Sequence, residues 1–260
     1  MSLAGRRLLV PVTAERTAFA DDLAAEGALV TPVAFIAIAP PADAAALEAA
    51  TLAWLAGDYA WMAVTSRNAV LAMDRVARAH GRTLAAPQPA ARVATVGEAT
   101  RRVCAEVGLA VDLVPSDRAD ARGIVESFPS GEGRVLAPLG NLASPVLARG
   151  LARKGWEVDA IEAYRTVDGP GMDDATVAAV AGGGFDAVLL TSGSVAERFA
   201  AACPRVAPGT RIVAIGRTTE AGARAAGLTV DAVADTPTYA GIRAALDAAL
   251  DPAASKEDHA

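Results

Sequence analysis

Short apolar runs alternate with longer mixed stretches along the whole chain, the pattern of a parallel sheet covered by helices. In the first half, residues 8–12, 29–38, 62–65, 92–96 and 111–114 read as strands. Helices are predicted over 19–26, 43–56, 68–80 and 100–107, three of them followed by Gly27, Gly81 and Gly108 as stop signals. The second half continues with strands at 135–137, 158–164, 187–191, 211–215 and 230–233. Its predicted helices are 145–154, 195–202, 219–226 and 239–250. The Gly182-Gly-Gly184 run reads as a loop before a strand, and residues 251–260 as a flexible polar tail.

The pattern also repeats itself. Val96-Gly-Glu-Ala-Thr100 and Gly108-Leu-Ala-Val-Asp112-Leu-Val114 return, 119 residues later, as Ile215-Gly-Arg-Thr-Thr219 and Gly227-Leu-Thr-Val-Asp231-Ala-Val233. Val64-Thr-Ser-Arg-Asn-Ala-Val70 resembles Leu190-Thr-Ser-Gly-Ser-Val-Ala196 at an offset of 126. A weaker match, at 127, pairs Arg7-Leu-Leu-Val-Pro11 and Gly27-Ala-Leu-Val30 with Arg134-Val-Leu-Ala-Pro138 and Gly155-Trp-Glu-Val158. One match is ordinary recycling of strand–glycine–helix turns. Three in one order imply two similar α/β halves with short connections.

Composition agrees with this reading. A chain of 260 residues suits two domains at roughly 150 residues each. At 53% hydrophobic it has ample core material, which excludes disorder. Aromatics make up only 4%, so Ala, Val and Leu must do most of the packing. The net charge of −6, with no basic patch, argues against nucleic acid. Cys104 and Cys203 are expected to be free buried thiols. The run at 8–12 is too short for a secretion signal, and no stretch reaches about 18 apolar residues, so no membrane span is expected. The expectation is a cytoplasmic monomer.

The candidate chemistry lies in the turns that follow the strands. In open parallel sheets ligands sit beyond the carboxyl ends of the strands, where helix starts present free N–H groups and attract anions. Thr65-Ser66 and Thr191-Ser192 end strands and are placed to cap the next helices. Gly97 and Gly216 let the backbone turn, with Thr100 and Thr219 at the helix starts that follow. Plain capping accounts for any one of these turns. Four equivalent turns in a duplicated chain suggest two facing domains that form a cleft for a ligand with several carboxylates. Arg67, Arg101, Arg102, Arg165 and Arg217 lie in or beside these loops.

Other chemistries fit poorly. The two histidines, His80 and His259, make a histidine triad or a histidine-rich metal site improbable, and the cysteines lack zinc-type spacing. No G-x-G-x-x-G follows a strand. Tyr164 closes the strand at 158–164, just before Arg165-Thr166. Two readings stand for it: packing, or a phenol that donates a hydrogen bond to a leaving group.

Taken in order, several motifs resemble the uroporphyrinogen-III synthase family. They are Val64-Thr-Ser-Arg-Asn-Ala-Val70, Val96-Gly-Glu-Ala-Thr100 and Leu136-Ala-Pro-Leu-Gly-Asn141. Tyr164-Arg-Thr166, Leu190-Thr-Ser-Gly-Ser194, Ile215-Gly-Arg-Thr-Thr219 and Pro237-Thr-Tyr-Ala-Gly241 continue the series. The resemblance runs from about residue 6 to 250, and its strength lies in the order and spacing of the motifs. It implies a cofactor-independent, metal-free lyase of tetrapyrrole biosynthesis. Such an enzyme expels the hydroxyl of hydroxymethylbilane as water and closes the macrocycle with ring D inverted.

The resemblance further implies two flavodoxin-like α/β domains with parallel sheets, joined by a two-stranded connection. One domain would comprise 1–37 plus 168–250 and the other 38–166, each repeat copy lending its opening strand–helix–strand to the opposite domain. Tyr164 matches the tyrosine that assists the leaving hydroxyl. Ser66, Thr100, Ser192, Ser194, Thr218 and Thr219 match polar substrate-binding positions, and Arg67, Gly97, Asn141, Gly193 and Gly216 join them from the same motifs. Hydroxymethylbilane would be the substrate and the preceding pathway enzyme a transient partner. Two departures stand out. A Thr-Arg-Pro common after the first strand is replaced by Pro11-Val-Thr-Ala-Glu-Arg16, leaving Arg16 as the candidate substitute, and the usual arginine before Gly-Asn is Leu139. A non-catalytic tetrapyrrole or polycarboxylate binding module of the same fold is the alternative. A solute-binding protein is disfavoured by the expected lack of a signal peptide.

Overall fold

The computed structural model describes residues 2–13, 17–85 and 91–251. The chain opens with β1 (Arg7–Pro11), α1 (Ala18–Ala25), β2 (Leu29–Val33) and β3 (Ile36–Ala39). It continues through α2 (Ala44–Ala56), β4 (Trp61–Val64), α3 (Arg67–Ala79), β5 (Arg92–Thr95) and α4 (Glu98–Glu106). Next come α5 (Ala121–Ser127), β6 (Arg134–Gly140), α6 (Val146–Ala152), β7 (Glu157–Asp168) and α7 (Asp174–Gly182). The remainder is β8 (Ala187–Leu190), α8 (Gly193–Ala202), β9 (Arg211–Ala214), α9 (Arg217–Ala225), β10 (Ala232–Val233) and α10 (Tyr239–Leu250).

Two compact units result. Unit 1 comprises Met1–Ala37 and Asp168–Ala260, and unit 2 comprises Ile38–Val167. The sheet of unit 1 has the order β10-β9-β8-β1-β2, with every neighbouring pair parallel. Numbered along the chain this is 2-1-3-4-5, the flavodoxin-like order. The second sheet runs β3-β7-β6-β4-β5, with parallel pairing from β7 to β5. The chain passes between units inside β3 and β7, which are neighbours in one sheet, so the connection is two-stranded.

The sequence repeat is visible strand by strand. The row β9-β8-β1-β2 in one sheet corresponds to β5-β4-β6-β7 in the other. Each copy of the repeat is therefore divided: its opening strand–helix–strand stands in one unit and its remainder in the other.

The central strands β4 and β8 are buried throughout, as strands covered by helices on both faces must be. Successive side chains feed opposite cores. In β4, Met62 and Val64 join the cluster around Trp54 and Met73, whereas Trp61 and Ala63 join that around Phe128 and Leu151. In β8, Val188 and Leu190 pack with Phe199, and Ala187 and Leu189 with Leu23 and Leu246. Both cysteines are free and buried. Desolvation pushes the Cys104 thiol up to about 11 and also raises that of Cys203.

Several boundaries differ from the sequence reading. The strand expected over 29–38 splits into β2 and β3, because Phe35 turns into the core and the chain changes sheets. Residues 111–114 supply only a single bridge, Leu113 to Ala94, and 230–233 shorten to β10. The strand at 158–164 extends to Asp168. Two short helices, α5 and α7, had no sequence expectation. Of the glycine run, Gly182 ends α7, Gly183 caps it in the left-handed conformation (φ 80°), and Gly184 lies in the loop that leads to β8. Among the described residues, no helix is long and apolar enough to cross a membrane.

Candidate functional site

The sequence-predicted residues of unit 2 gather at one edge of its sheet, where β5, β4, β6 and β7 stand side by side. Val64 pairs with Thr95, Met62 with Leu136, and Gly140 with Tyr164, so the turns after β5, β4 and β6 and the phenol of Tyr164 share this edge. Ser66 caps α3: its Oγ accepts from Asn68 N–H at 3.2 Å. Arg67 is the first residue of α3, half-buried, with no ion-pair partner among the described residues. Gly97 is the N-cap of α4 and supplies no side-chain acceptor, so the helix start keeps its N–H donors for a ligand or for water. Thr100, in the first turn of α4, is 6% exposed.

Unit 1 repeats the arrangement. Ser192 caps α8, accepting from Val195 N–H at 3.2 Å, and its Oγ lies 3.1 Å from that of Ser194. Gly216 opens α9 without a side-chain cap, as Gly97 opens α4. A cavity of about 630 Å³ lies over that helix start, lined by Gly216, Arg217, Thr218, Thr219, Asp235 and Pro237. Glu220 pairs with Arg224 at 2.9 Å, while Arg217 is exposed with no acidic partner among the described residues. Beside it, Thr191 and Ser192 border an apolar hollow of about 330 Å³ lined by Phe19, Phe35, Leu189 and Val195. It sits where β8 meets β1, the point at which the strand order reverses.

Tyr164 lies on β7, partly buried against the cluster that contains Val70 and Met73. Its hydroxyl has no hydrogen-bond partner among the described residues. The phenol reaches over Gly140 so closely that a Cβ on that glycine would fall 2.7 Å from Cζ and 2.8 Å from the hydroxyl oxygen. Asn141, expected among the substrate contacts, has its amide bonded to the backbone of Thr166. Its Oδ1 accepts from Thr166 N–H at 2.8 Å and its Nδ2 donates to Thr166 C=O at 3.3 Å.

The loop arginines divide. Arg101 pairs with Glu98 at 3.2 Å and Arg165 with Glu162 at 3.7 Å. Arg67, Arg102 and Arg217 form no such pair among the described residues. Arg16 and His259 lie outside the described residues, as do positions 252–260 of the tail. Sequence reasoning did not place Gly140, Asp235 or Pro237 at the site. A glycine at a strand end directly before Asn141 was the available signal for the first, and the Pro237–Gly241 motif for the last. Among the described residues, no three His, Cys, Asp or Glu stand together as a metal site.

Comparison with known proteins gives this geometry a family. The family described as uroporphyrinogen-III synthase HemD matches residues 17–244. A provisionally named uroporphyrinogen-III synthase of Methanothermobacter thermautotrophicus is 38% identical over 105 residues, 38% of this chain. The match spans 41% of that relative's length. In fold, the chain resembles the crystal structure of a mutant uroporphyrinogen III synthase from the extremely thermophilic bacterium Thermus thermophilus. The TM-score is 0.65 at 19% identity, covering 95% of this chain and 99% of that one. It also resembles uroporphyrinogen-III synthetase from Helicobacter pylori, with TM-score 0.59 at 14% identity, covering 92% and 97%. A family match running through both units, over the same turns that carry the site, means that the chain belongs to the uroporphyrinogen-III synthase family.

Proposed function

We propose that this protein is a uroporphyrinogen-III synthase that converts hydroxymethylbilane to uroporphyrinogen III and water, inverting ring D as the macrocycle closes. The substrate is a polycarboxylate, and each unit carries donors suited to carboxylates. These are the N-termini of α3 and α4 with Ser66, Arg67, Gly97 and Thr100, and those of α8 and α9 with Ser192, Gly193, Ser194, Gly216, Thr218 and Thr219.

The observation that carries the chemistry is the Tyr164 phenol, held at the strand edge without an internal hydrogen bond. In this reading its O–H donates to the leaving hydroxyl. The C–O bond breaks, water departs, and an azafulvene cation remains. Attack by the substituted end of ring D gives a spiro-pyrrolenine, which opens and recloses with the ring reversed. Loss of a ring proton restores aromaticity, and return of a proton to the phenolate resets Tyr164. No electrons are exchanged, so the reaction needs no redox cofactor. The bilane closes unaided to the uninverted isomer, so the main task is to fix geometry. The same reading carries a cytoplasmic monomer that receives its labile substrate from the preceding pathway enzyme.

A coupled assay fed with fresh hydroxymethylbilane, scoring isomers III and I, is the test. Wild-type protein should yield isomer III, and Tyr164→Phe should lower its rate by about a hundredfold or more, from the low end of general-acid effects upward, with unchanged thermal unfolding. Accumulation of isomer I alone with wild-type protein would sink the reading.

A further inference from the structure

Three features around Tyr164 bear on the position of its phenol. The pairing of β6 with β7 is interrupted at the end of β6. Leu139 pairs with Glu162, but the next residue, Gly140, pairs with Tyr164, so Ala163 has no partner of its own. Such a bulge re-aims side chains. Consecutive residues of a strand point to opposite faces, yet Ala163 and Tyr164 both pack into the cluster formed with α2 and α3. Gly140 then leaves empty the volume that the phenol fills, since a Cβ there would meet Cζ, Cε2 and the hydroxyl oxygen at 2.7–3.1 Å. Asn141 closes the bracket. Its N–H donates to Tyr164 C=O at 3.2 Å, and its side-chain amide binds both the N–H and the C=O of Thr166, two residues on.

We propose that Gly140 and Asn141 are positioning residues, which hold the Tyr164 phenol at the end of β6 with its hydroxyl free. This rests on the reading of Tyr164 as the donor to the leaving hydroxyl. Gly140 supplies the space and Asn141 fixes the β7 backbone at the tyrosine's own C=O and at Thr166 just beyond it. An asparagine that only closed a strand end would make the same bonds, but the phenol would not depend on it.

The test uses the full chain labelled with 3-fluorotyrosine. The sequence holds three tyrosines, and Tyr164→Phe identifies the fluorine resonance of interest. Asn141→Ala and Gly140→Ala should each move that resonance while leaving those of Tyr59 and Tyr239 in place. Each should lower kcat for isomer III about tenfold or more with KM within about twofold, as expected when only the transition state is affected. In the Tyr164→Phe background, Gly140→Ala should cost less than about twofold, because the two changes act through one group. Should Gly140→Ala fail to fold, Asn141→Asp serves. It keeps the acceptor for Thr166 N–H but loses the donor to Thr166 C=O, and it should move the same resonance. An unmoved Tyr164 resonance, or an equal loss in the phenylalanine background, overturns the proposal. If Tyr164→Phe itself retains full kcat, the donor reading fails separately, and the fluorine shifts alone decide whether Gly140 and Asn141 hold the ring.

Discussion

Asp112 and Asp231, 119 residues apart, make the same two hydrogen bonds in the two units. Asp112 Oδ2 accepts from Val93 N–H at 2.8 Å, and Asp112 N–H donates to Val93 C=O at 2.8 Å. Asp231 does likewise with Ile212 N–H and C=O, again at 2.8 Å each. Each aspartate thereby satisfies the first buried residue of a strand and lines up the segment beside it, through the Ala94–Leu113 bridge in one unit and the Val213–Ala232 pair in the other. This is the repeat expressed as hydrogen bonds. Those strands, β5 and β9, lead into the turns at Gly97 and Gly216, so the aspartates secure the far ends of the elements that present the site.

Removing either carboxylate leaves a strand N–H without its partner. Asp112→Ala is expected to lower stability by about 1–2 kcal/mol, the cost of one lost hydrogen bond and an orphaned donor. Asp231→Ala should cost a few tenths more, because Asp231 also pairs with Arg211 at 3.2 Å in a partly exposed ion pair. Urea unfolding of the two variants beside wild type measures this, and unchanged midpoints in both would refute it.

A second prediction concerns acid. Asp120 caps α5, accepting from Gly123 N–H at 2.9 Å, and Arg118 Nε donates to it at 2.9 Å. The Arg118 hydrogen bond, followed by that from Gly123, draws its carboxyl from the ordinary 3.8 down to about 2. A carboxyl depressed in the folded state stabilises above its unfolded value and loses that contribution as pH falls from about 3.8 to about 2. Being exposed, the group makes only a small contribution. Carbon NMR of the Asp120 carboxyl should show a midpoint near 2, and Asp120→Asn should flatten the stability profile in that window. A midpoint near 4 in the folded protein would contradict the pairing.

Much of this fold is written in local signals, and the parts that are not have identifiable reasons. Strands such as β4 and β8 are continuous apolar runs, and Ser66 and Ser192 stand directly ahead of helices, so both were legible. The short helix α5 carries Arg122, Gly123 and Glu126 in seven residues, which dilutes its pattern; it is recognisable chiefly by its Asp120 cap and by Val125 packed against Gly150 of α6. The helix α7 shows almost no contrast between an apolar and a polar face, because alanines and glycine surround Val177 and Val180. The site was legible as residue types but not as contacts. Asn141 is as suitable for binding a carboxylate as for pairing with Thr166, and only the bulge between Leu139 and Gly140 brings that backbone within its reach.

The last prediction exploits a contact between two glycines. Gly193 opens α8 and Gly222 lies in α9, and the helices cross where neither has a side chain. A Cβ on Gly222 would stand 2.6 Å from Gly193 Cα, whereas a Cβ on Gly193 would stand 3.6 Å from Gly222 Cα. The two alanine substitutions should therefore differ in sign. Replacing glycine by alanine within a helix gains about 0.5–1 kcal/mol from chain entropy. At Gly193 nothing opposes that gain beyond ordinary van der Waals contact, so Gly193→Ala should be neutral or slightly stabilising. At Gly222 the obstructing atom is backbone, which cannot rotate away, and overpacking of this kind costs about 1–3 kcal/mol. The clash outweighs the entropy, so Gly222→Ala should destabilise and force apart the starts of α8 and α9 that carry Ser192, Ser194, Gly216 and Thr219. Urea unfolding of both variants, with isomer III production measured in parallel, separates the cases. Equal stability of the two would show that the helices do not meet through these glycines.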